Sequence, residues 1–150
     1  MNPLKIERAG ASDLKEVFEL EQLSFNAEAF SKRQLRYLML KAKSDFLVTR
    51  ENGEISSFMI LLKKKNSSGM RVYSLAVSAK HRGKGIAQSM LDEALRRAAS
   101  SGYKFLTLEV SEHNEAAVKL YLKQGFEVFG ERRAYYKDGS KALLMRKSVG

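Results

Sequence analysis

Between His81 and Met90 the chain reads HRGKGIAQSM. Two glycines, Gly83 and Gly85, alternate with two cations, Arg82 and Lys84, directly ahead of a helical pattern. Ile86, Ala87, Met90, Leu91, Ala94, Leu95 and Ala98 fall on one helical face. A glycine inside a helix costs about 1 kcal/mol relative to alanine, so these two mark a junction that needs bare backbone. The chemistry such a junction performs is anion binding. A helix N-terminus leaves four N–H groups unpaired and carries about half a positive charge, and glycines let a phosphate approach them closely. Two common nucleotide loops are not matched. A Walker loop needs Lys after its last glycine, where this chain has Ile86. The dinucleotide fingerprint needs Gly or Ala at its third position, where this chain has Gln88. On this stretch alone, a glycine-rich turn without a ligand remains the alternative.

Other chemistry-bearing groups are sparse. His81 and His113 each stand in an expected loop without a second ligand at metal spacing, so both read as surface residues and no metal is expected. There is no cysteine, which excludes a disulfide, a thiolate zinc site and a thiol nucleophile. From spacing alone, Glu109 reads as an outward residue of an alternating strand and Tyr121, three residues after Val118, as core. The net charge is +10, with +4 in residues 1–75 and +6 in residues 76–150. That balance favours an anionic partner, whether a phosphorylated cofactor, RNA or an acidic substrate; the alternative is a basic surface with no partner. No apolar run approaches the ~20 residues that span a bilayer, and no signal-peptide pattern is visible. The cytoplasm is the expected compartment.

The elements that must position the glycine loop follow from periodicity and punctuation. Leu4–Arg8 alternates as a strand. Ser12 or Asp13 opens a helix bearing Leu14, Val17, Phe18 and Leu23, with Asp13 and Glu16 as a capping box. Ser31 and Gln34 form a second, cleaner box ahead of Leu35, Leu38 and Met39. Asn52-Gly53 turns a hairpin between 45–50 and 55–63. Met70–Val77 is a strand, and the helix after Gly85 ends near Gly102. Lys104–Val110 is a strand, Asn114 caps a helix that Gly125 stops, and residues 126–136 and 141–147 are closing strands around Asp138-Gly139. The order β-α-α-β-β-β-α-β-α-β-β predicts an α+β domain over residues 1–150. Its mixed sheet combines hairpins with one parallel pair across a helical crossover.

Arg82-Gly83-Lys84-Gly85-Ile86-Ala87 has the form R-x-x-G-x-A, between a strand ending Leu75-Ala76-Val77 and an amphipathic helix. This resembles the pyrophosphate loop of the GNAT acetyltransferase superfamily. Leu108–Phe126, LEVSEHNEAAVKLYLKQGF, resembles that superfamily's second signature, a strand followed by Asn-x-x-Ala, a Tyr and Gly-Phe. With "RRAYYKDG" after it, the chain is most similar to protein N-terminal acetyltransferases of the ribosomal-protein-alanine type.

The resemblance implies a GNAT fold: a mostly antiparallel seven-stranded sheet, about four helices, and central parallel strands that splay apart. It implies acetyl-CoA as cofactor. Leu75, Ala76 and Val77 would accompany the pantetheine arm. Arg82, Gly83, Lys84, Gly85, Ile86, Ala87 and Gln88 would hold the pyrophosphate, and Asn114 would touch the cofactor while capping its own helix. Glu109 would be the general base, through water, and Tyr121 the general acid. The Val77 amide would be the oxyanion donor. Phe25, Phe30, Tyr135 and Tyr136 would line the acceptor site. The implied acceptor is a protein N-terminus, such as that of a ribosomal protein; a small amine, or a ribosome- or RNA-binding role without catalysis, is the alternative. An α-amine, with a pKa of about 7.7–8.0 against about 10.4 for lysine, asks least of a base. Without a thiol, direct attack in a ternary complex is expected. The chain departs from the family pattern at Asn26 after Phe25, at Ser57, and at Ser140-Lys141, where acids are usual.

Overall fold

The computed structural model describes residues 4–25, 28–41 and 43–150. In chain order it contains β1 (Ile6–Arg8), α1 (Leu14–Phe25), α2 (Lys32–Leu40), β2 (Ser44–Glu51), β3 (Glu54–Leu62) and β4 (Gly69–Val77). These are followed by α3 (Ile86–Ser100), β5 (Phe105–Ser111), α4 (Glu115–Lys123), β6 (Glu127–Arg132) and β7 (Ala142–Ser148). The strands form a seven-stranded mixed sheet in the order β1-β2-β3-β4-β5-β7-β6. The parallel ladder joins Gly69–Val72 of β4 to Phe105–Leu108 of β5. By contact density the chain divides into two compact units, residues 1–63 with 73–93 and residues 64–72 with 94–150. β4 and α3 each run from one unit into the other.

The first unit is built on the β2–β3 hairpin, whose tight turn puts Asn52 and Gly53 at φ 52° and 81°. Both strands are almost wholly buried. Val17, Leu20, Leu35, Met39, Phe46, Val48, Phe58 and Ile60 make its core. Leu23, expected on the inner face of α1, is exposed: at 100° per residue it stands about 240° from Val17 and away from the stripe. Ser31 and Gln34 form the expected box, with Gln34 N donating to Ser31 Oγ (3.1 Å) and Ser31 N to Gln34 Oε1 (2.8 Å). Asp13 and Glu16 do not. Residues 11–13 form a 3-10 turn in which Asp13 Oδ2 accepts from Gly10 N (2.8 Å), while Glu16 Oε2 accepts from Ile55 N (3.0 Å). Asp13 also takes Arg50 at 2.7 Å. The β2–β3 register shifts between Thr49 and Arg50. There Thr49 Oγ1 meets Ser56 Oγ (2.6 Å) and Ser57 Oγ (2.5 Å), so Ser57 joins a buried hydroxyl cluster.

In the second unit β5 alternates cleanly. Leu106, Leu108 and Val110 are buried, as are Ala142, Met145 and Phe126, while Phe105, Thr107, Glu109 and Ser111 stay partly exposed. Asn114 caps α4 by accepting from Ala117 N (3.2 Å), and Gly125 follows the helix at φ 96°. β6 is shorter than its alternation predicts. It ends at Arg132, Ala134 takes φ 46°, and the amides of Tyr135 and Tyr136 donate to Ser140 O at 3.1 and 3.2 Å. Asp138 fixes this turn by accepting from both Ser140 N (2.9 Å) and Ser140 Oγ (2.6 Å). A local side-chain bond to backbone thus outcompetes the ladder.

Candidate active site

In the first unit, Gly83 and Gly85 both adopt φ +78°, a conformation that costs an L-residue roughly 1–2 kcal/mol. A Cβ added to either would meet no atom within 4 Å, so the outer side of the loop is open. α3 begins at Ile86, and Ser89 N donates to Gly85 O at 3.1 Å. The amides of Gly85, Ile86, Ala87 and Gln88 therefore have no acceptor among the described residues. Four convergent donors, the positive end of a fifteen-residue helix and an unobstructed approach fit a diphosphate.

The two cations of the loop are held by protein partners. Arg82 Nε donates to Val77 O at 3.3 Å, and Lys84 Nζ lies 3.0 Å from Glu51 Oε2. Bonding and charge from Lys84 hold the Glu51 carboxyl below its usual range, and Lys80 does the same for Glu54. His81 is not the surface residue its loop position predicts. It is 8% exposed, with Nδ1 3.1 Å from Glu51 Oε2 and 3.3 Å from Lys84 Nζ. Its burial comes from the β2–β3 turn, whose two glutamates tie down the stretch before the glycines; no local pattern announces that contact. His113 is exposed, as expected. Among the described residues no group of three potential metal ligands occurs.

Leu75, Ala76 and Val77 are the last three residues of β4, with only Ala76 buried. Phe25 and Phe30 pack against the first unit's core, and Phe30 stacks on Tyr73 at 5.0 Å and 16°. Asn26, between them, lies outside the described residues. The residue that organises this wall escaped sequence reading. Glu21, 1% exposed in the middle of α1, accepts from Phe30 N (2.8 Å) and from Ser74 Oγ (3.3 Å). Desolvation pushes its carboxyl above the ordinary range, against the lowering effect of those two bonds. A polar residue on the buried face of an amphipathic helix was the available signal.

In the second unit Glu109 is 11% exposed and faces two guanidiniums, Arg71 Nη2 at 3.2 Å from Oε2 and Arg132 Nε at 3.4 Å from Oε1. Neither arginine was legible as a partner from sequence, since they lie on strands distant in the chain. Tyr121, on α4, meets Phe126 edge-on at 5.7 Å, and burial pushes its hydroxyl up to about 12. It therefore holds its proton throughout the neutral range. Tyr135 and Tyr136 pack edge-to-face at 5.1 Å at the hairpin tip, with the Arg132 guanidinium 5.9 Å from the Tyr135 ring. Ser140 and Lys141 are engaged locally: Ser140 Oγ lies 3.2 Å from Ser111 Oγ, and Lys141 Nζ lies 3.0 Å from Glu131 and 3.6 Å from Glu112.

The chain matches the model of the acetyltransferase (GNAT) family over residues 14–126, a stretch that runs through both units. It is 33% identical over 97 residues to N-acetyltransferase 8F1 of Rattus norvegicus, a match covering 62% of this chain and 44% of the rat protein. This chain thus spans less than half the length of that relative. It is 25% identical to a putative [ribosomal protein bS18]-alanine N-acetyltransferase of Bacillus subtilis, over 89% of this chain and 87% of that protein. The crystal structure of Ard1 from Thermoplasma volcanium superposes with a TM-score of 0.88, covering 98% of each chain at 23% identity. An amide-lined loop at the head of α3, a mixed seven-stranded sheet and a family match over three quarters of the sequence agree: this chain belongs to the GNAT acetyltransferase family.

Proposed function

We propose that this protein transfers an acetyl group from acetyl-CoA to the α-amine of a protein N-terminus, and that residues 1–150 act as one catalytic domain. The observation that carries the cofactor half is the set of four unpaired amides, Gly85–Gln88, behind two glycines at positive φ. These amides would hold the diphosphate, with Gly83 and Gly85 keeping side chains out of its way. Leu75–Val77 would offer main-chain groups to the pantetheine arm, and the capping bond of Asn114 uses its Oδ1 as acceptor, which leaves the Nδ2 amide to face the cofactor.

Acetyl-CoA, when bound, supplies an acetyl group activated as a thioester. The protein's residues then have three tasks. Glu109 would accept the proton that the amine releases as its nitrogen bonds to the acetyl carbon, through a water. The Val77 amide would donate to the carbonyl oxygen. Tyr121 would give the proton of its hydroxyl to the departing sulfur; burial keeps that hydroxyl protonated well into the alkaline range. With no cysteine in the chain, the attack is direct and both substrates are present together.

The α-amine reading is supported by the name of the Bacillus relative and by the half-exposed tyrosine pair at 135–136, which would cover a substrate's first residues. Incubation with acetyl-CoA and a panel of peptides and small amines tests it. Acetylated peptide N-termini, with intersecting initial-rate lines, are the expected result. Turnover confined to small amines would replace the acceptor assignment. Failure to bind acetyl-CoA would overturn the reading altogether.

A further inference from the structure

The second unit carries an arginine-lined sheet face beside Glu109 whose arginines have no assigned part in the transfer chemistry. Arg71 of β4 pairs with Thr107 of β5, Thr107 with Arg146 of β7, and Arg146 with Glu127 of β6. These four residues stand abreast. With strands about 4.8 Å apart, the backbones at Arg71 and Arg146 flank Thr107 on either side. Glu109 lies two residues further along β5, roughly 6.6 Å away at about 3.3 Å per residue.

The charges on this face do not cancel. Arg71 and Arg132 both serve Glu109. The Arg146 guanidinium is wedged between two rings, 4.5 Å from the Phe105 centroid and 4.9 Å from that of Phe129. Its buried Nε finds no hydrogen-bond acceptor, and the carboxylate beside it, Glu127, is 4.0 Å away and 74% exposed. A planar, weakly hydrated cation fixed between aromatic rings, with its fork partly open to solvent, is suited to a carboxylate.

We propose that this face receives the side-chain carboxylate of an acidic residue at the second or third position of the acceptor, with Arg146 as the receiving group. The inference rests on the α-amine reading above. An extended peptide whose amine lies at Glu109 advances by about the separation between Glu109 and the Thr107–Arg146 pair within two residues. Its acidic side chain then meets Arg146 with Arg71 alongside. The excess positive charge of the chain, +10, draws such an acceptor in.

The test is a peptide series identical except for Asp, Ala or Lys at positions two and three, assayed for acetylation and, separately, for direct binding by fluorescence polarisation. The expected result is about tenfold tighter binding of the Asp peptide over Ala, weakening as salt rises, with the Lys peptide worst. Arg146→Gln should collapse the ratio between the Asp and Ala peptides. Equal binding of the three by the unaltered protein, or a preference for Lys, overturns the inference. So does an Asp preference that survives in Arg146→Gln. Acidic-peptide binding without acetylation of any peptide would sink the proposed acceptor while leaving this inference standing.

Discussion

The glycine loop at the head of α3 and the strand–helix segment from Glu109 to Tyr121 serve one proposed reaction by opposite means. In that proposal the loop would work through main-chain amides, and its side chains are either absent or engaged elsewhere: Arg82 on Val77 and Lys84 on Glu51. In the same proposal the second segment would work through side chains whose behaviour is set by neighbours, two arginines for Glu109 and partial burial beside Phe126 for Tyr121. A main-chain site tolerates exchange of most side chains and fails when the backbone angle is lost. A side-chain site fails when one atom is removed, even if the backbone is untouched.

That contrast predicts which substitutions hurt most. Tyr121→Phe removes the hydroxyl and its proton and keeps the ring, so kcat should fall by about 10²-fold or more with CoA affinity within a factor of two; unchanged turnover in a steady-state assay would remove Tyr121 from the chemistry. Gly85→Val forces a branched side chain into a left-handed backbone and over the amides. The free loop would relax out of that angle and have to return to it when CoA binds, so binding measured by calorimetry should weaken by about tenfold, the equivalent of the 1–2 kcal/mol such a conformation costs. Lys84→Ala should weaken it less than threefold, because Lys84 already has a partner in Glu51; a larger loss would make the loop a side-chain site after all.

Two titrations sharpen the comparison further. Tyr121 titrates near 12 in the folded protein, so the pH profile of kcat should show no alkaline fall due to its ionisation below about pH 11. Between its ordinary value near 10 and 12, the unfolded chain ionises first, so stability drains away over that window as pH rises. Glu21 gives the smallest effect. Its folded pKa lies above the unfolded value of about 4.5, so the acid form is the one that folding favours, and its contribution is lost as pH rises through the folded pKa. Glu21→Gln keeps an acceptor for Phe30 N and removes the buried charge. The variant should melt a few degrees higher than the unaltered protein at pH 7–8, by thermal denaturation, with the gap closing below about pH 4.5.

The sequence by itself determined the loop. Glycines at 83 and 85 ahead of a helical period can serve few purposes, because both the backbone angle and the free amides are local properties of the chain. Element order, the Ser31 and Asn114 caps and the turn at Asn52-Gly53 were legible for the same reason. Only the tertiary structure decided what surrounds a side chain. It buried His81 against Glu51, drew Asp13 to Gly10 and Arg50, gave Glu109 two arginines, put Glu21 beneath Phe30, and stopped β6 before the tyrosine pair. Apart from the Asp13–Gly10 bond and the Asp138–Ser140 turn that stops β6, each of these rests on a partner distant in the chain, and a carboxylate or an imidazole carries no mark in the sequence of which partner it will meet.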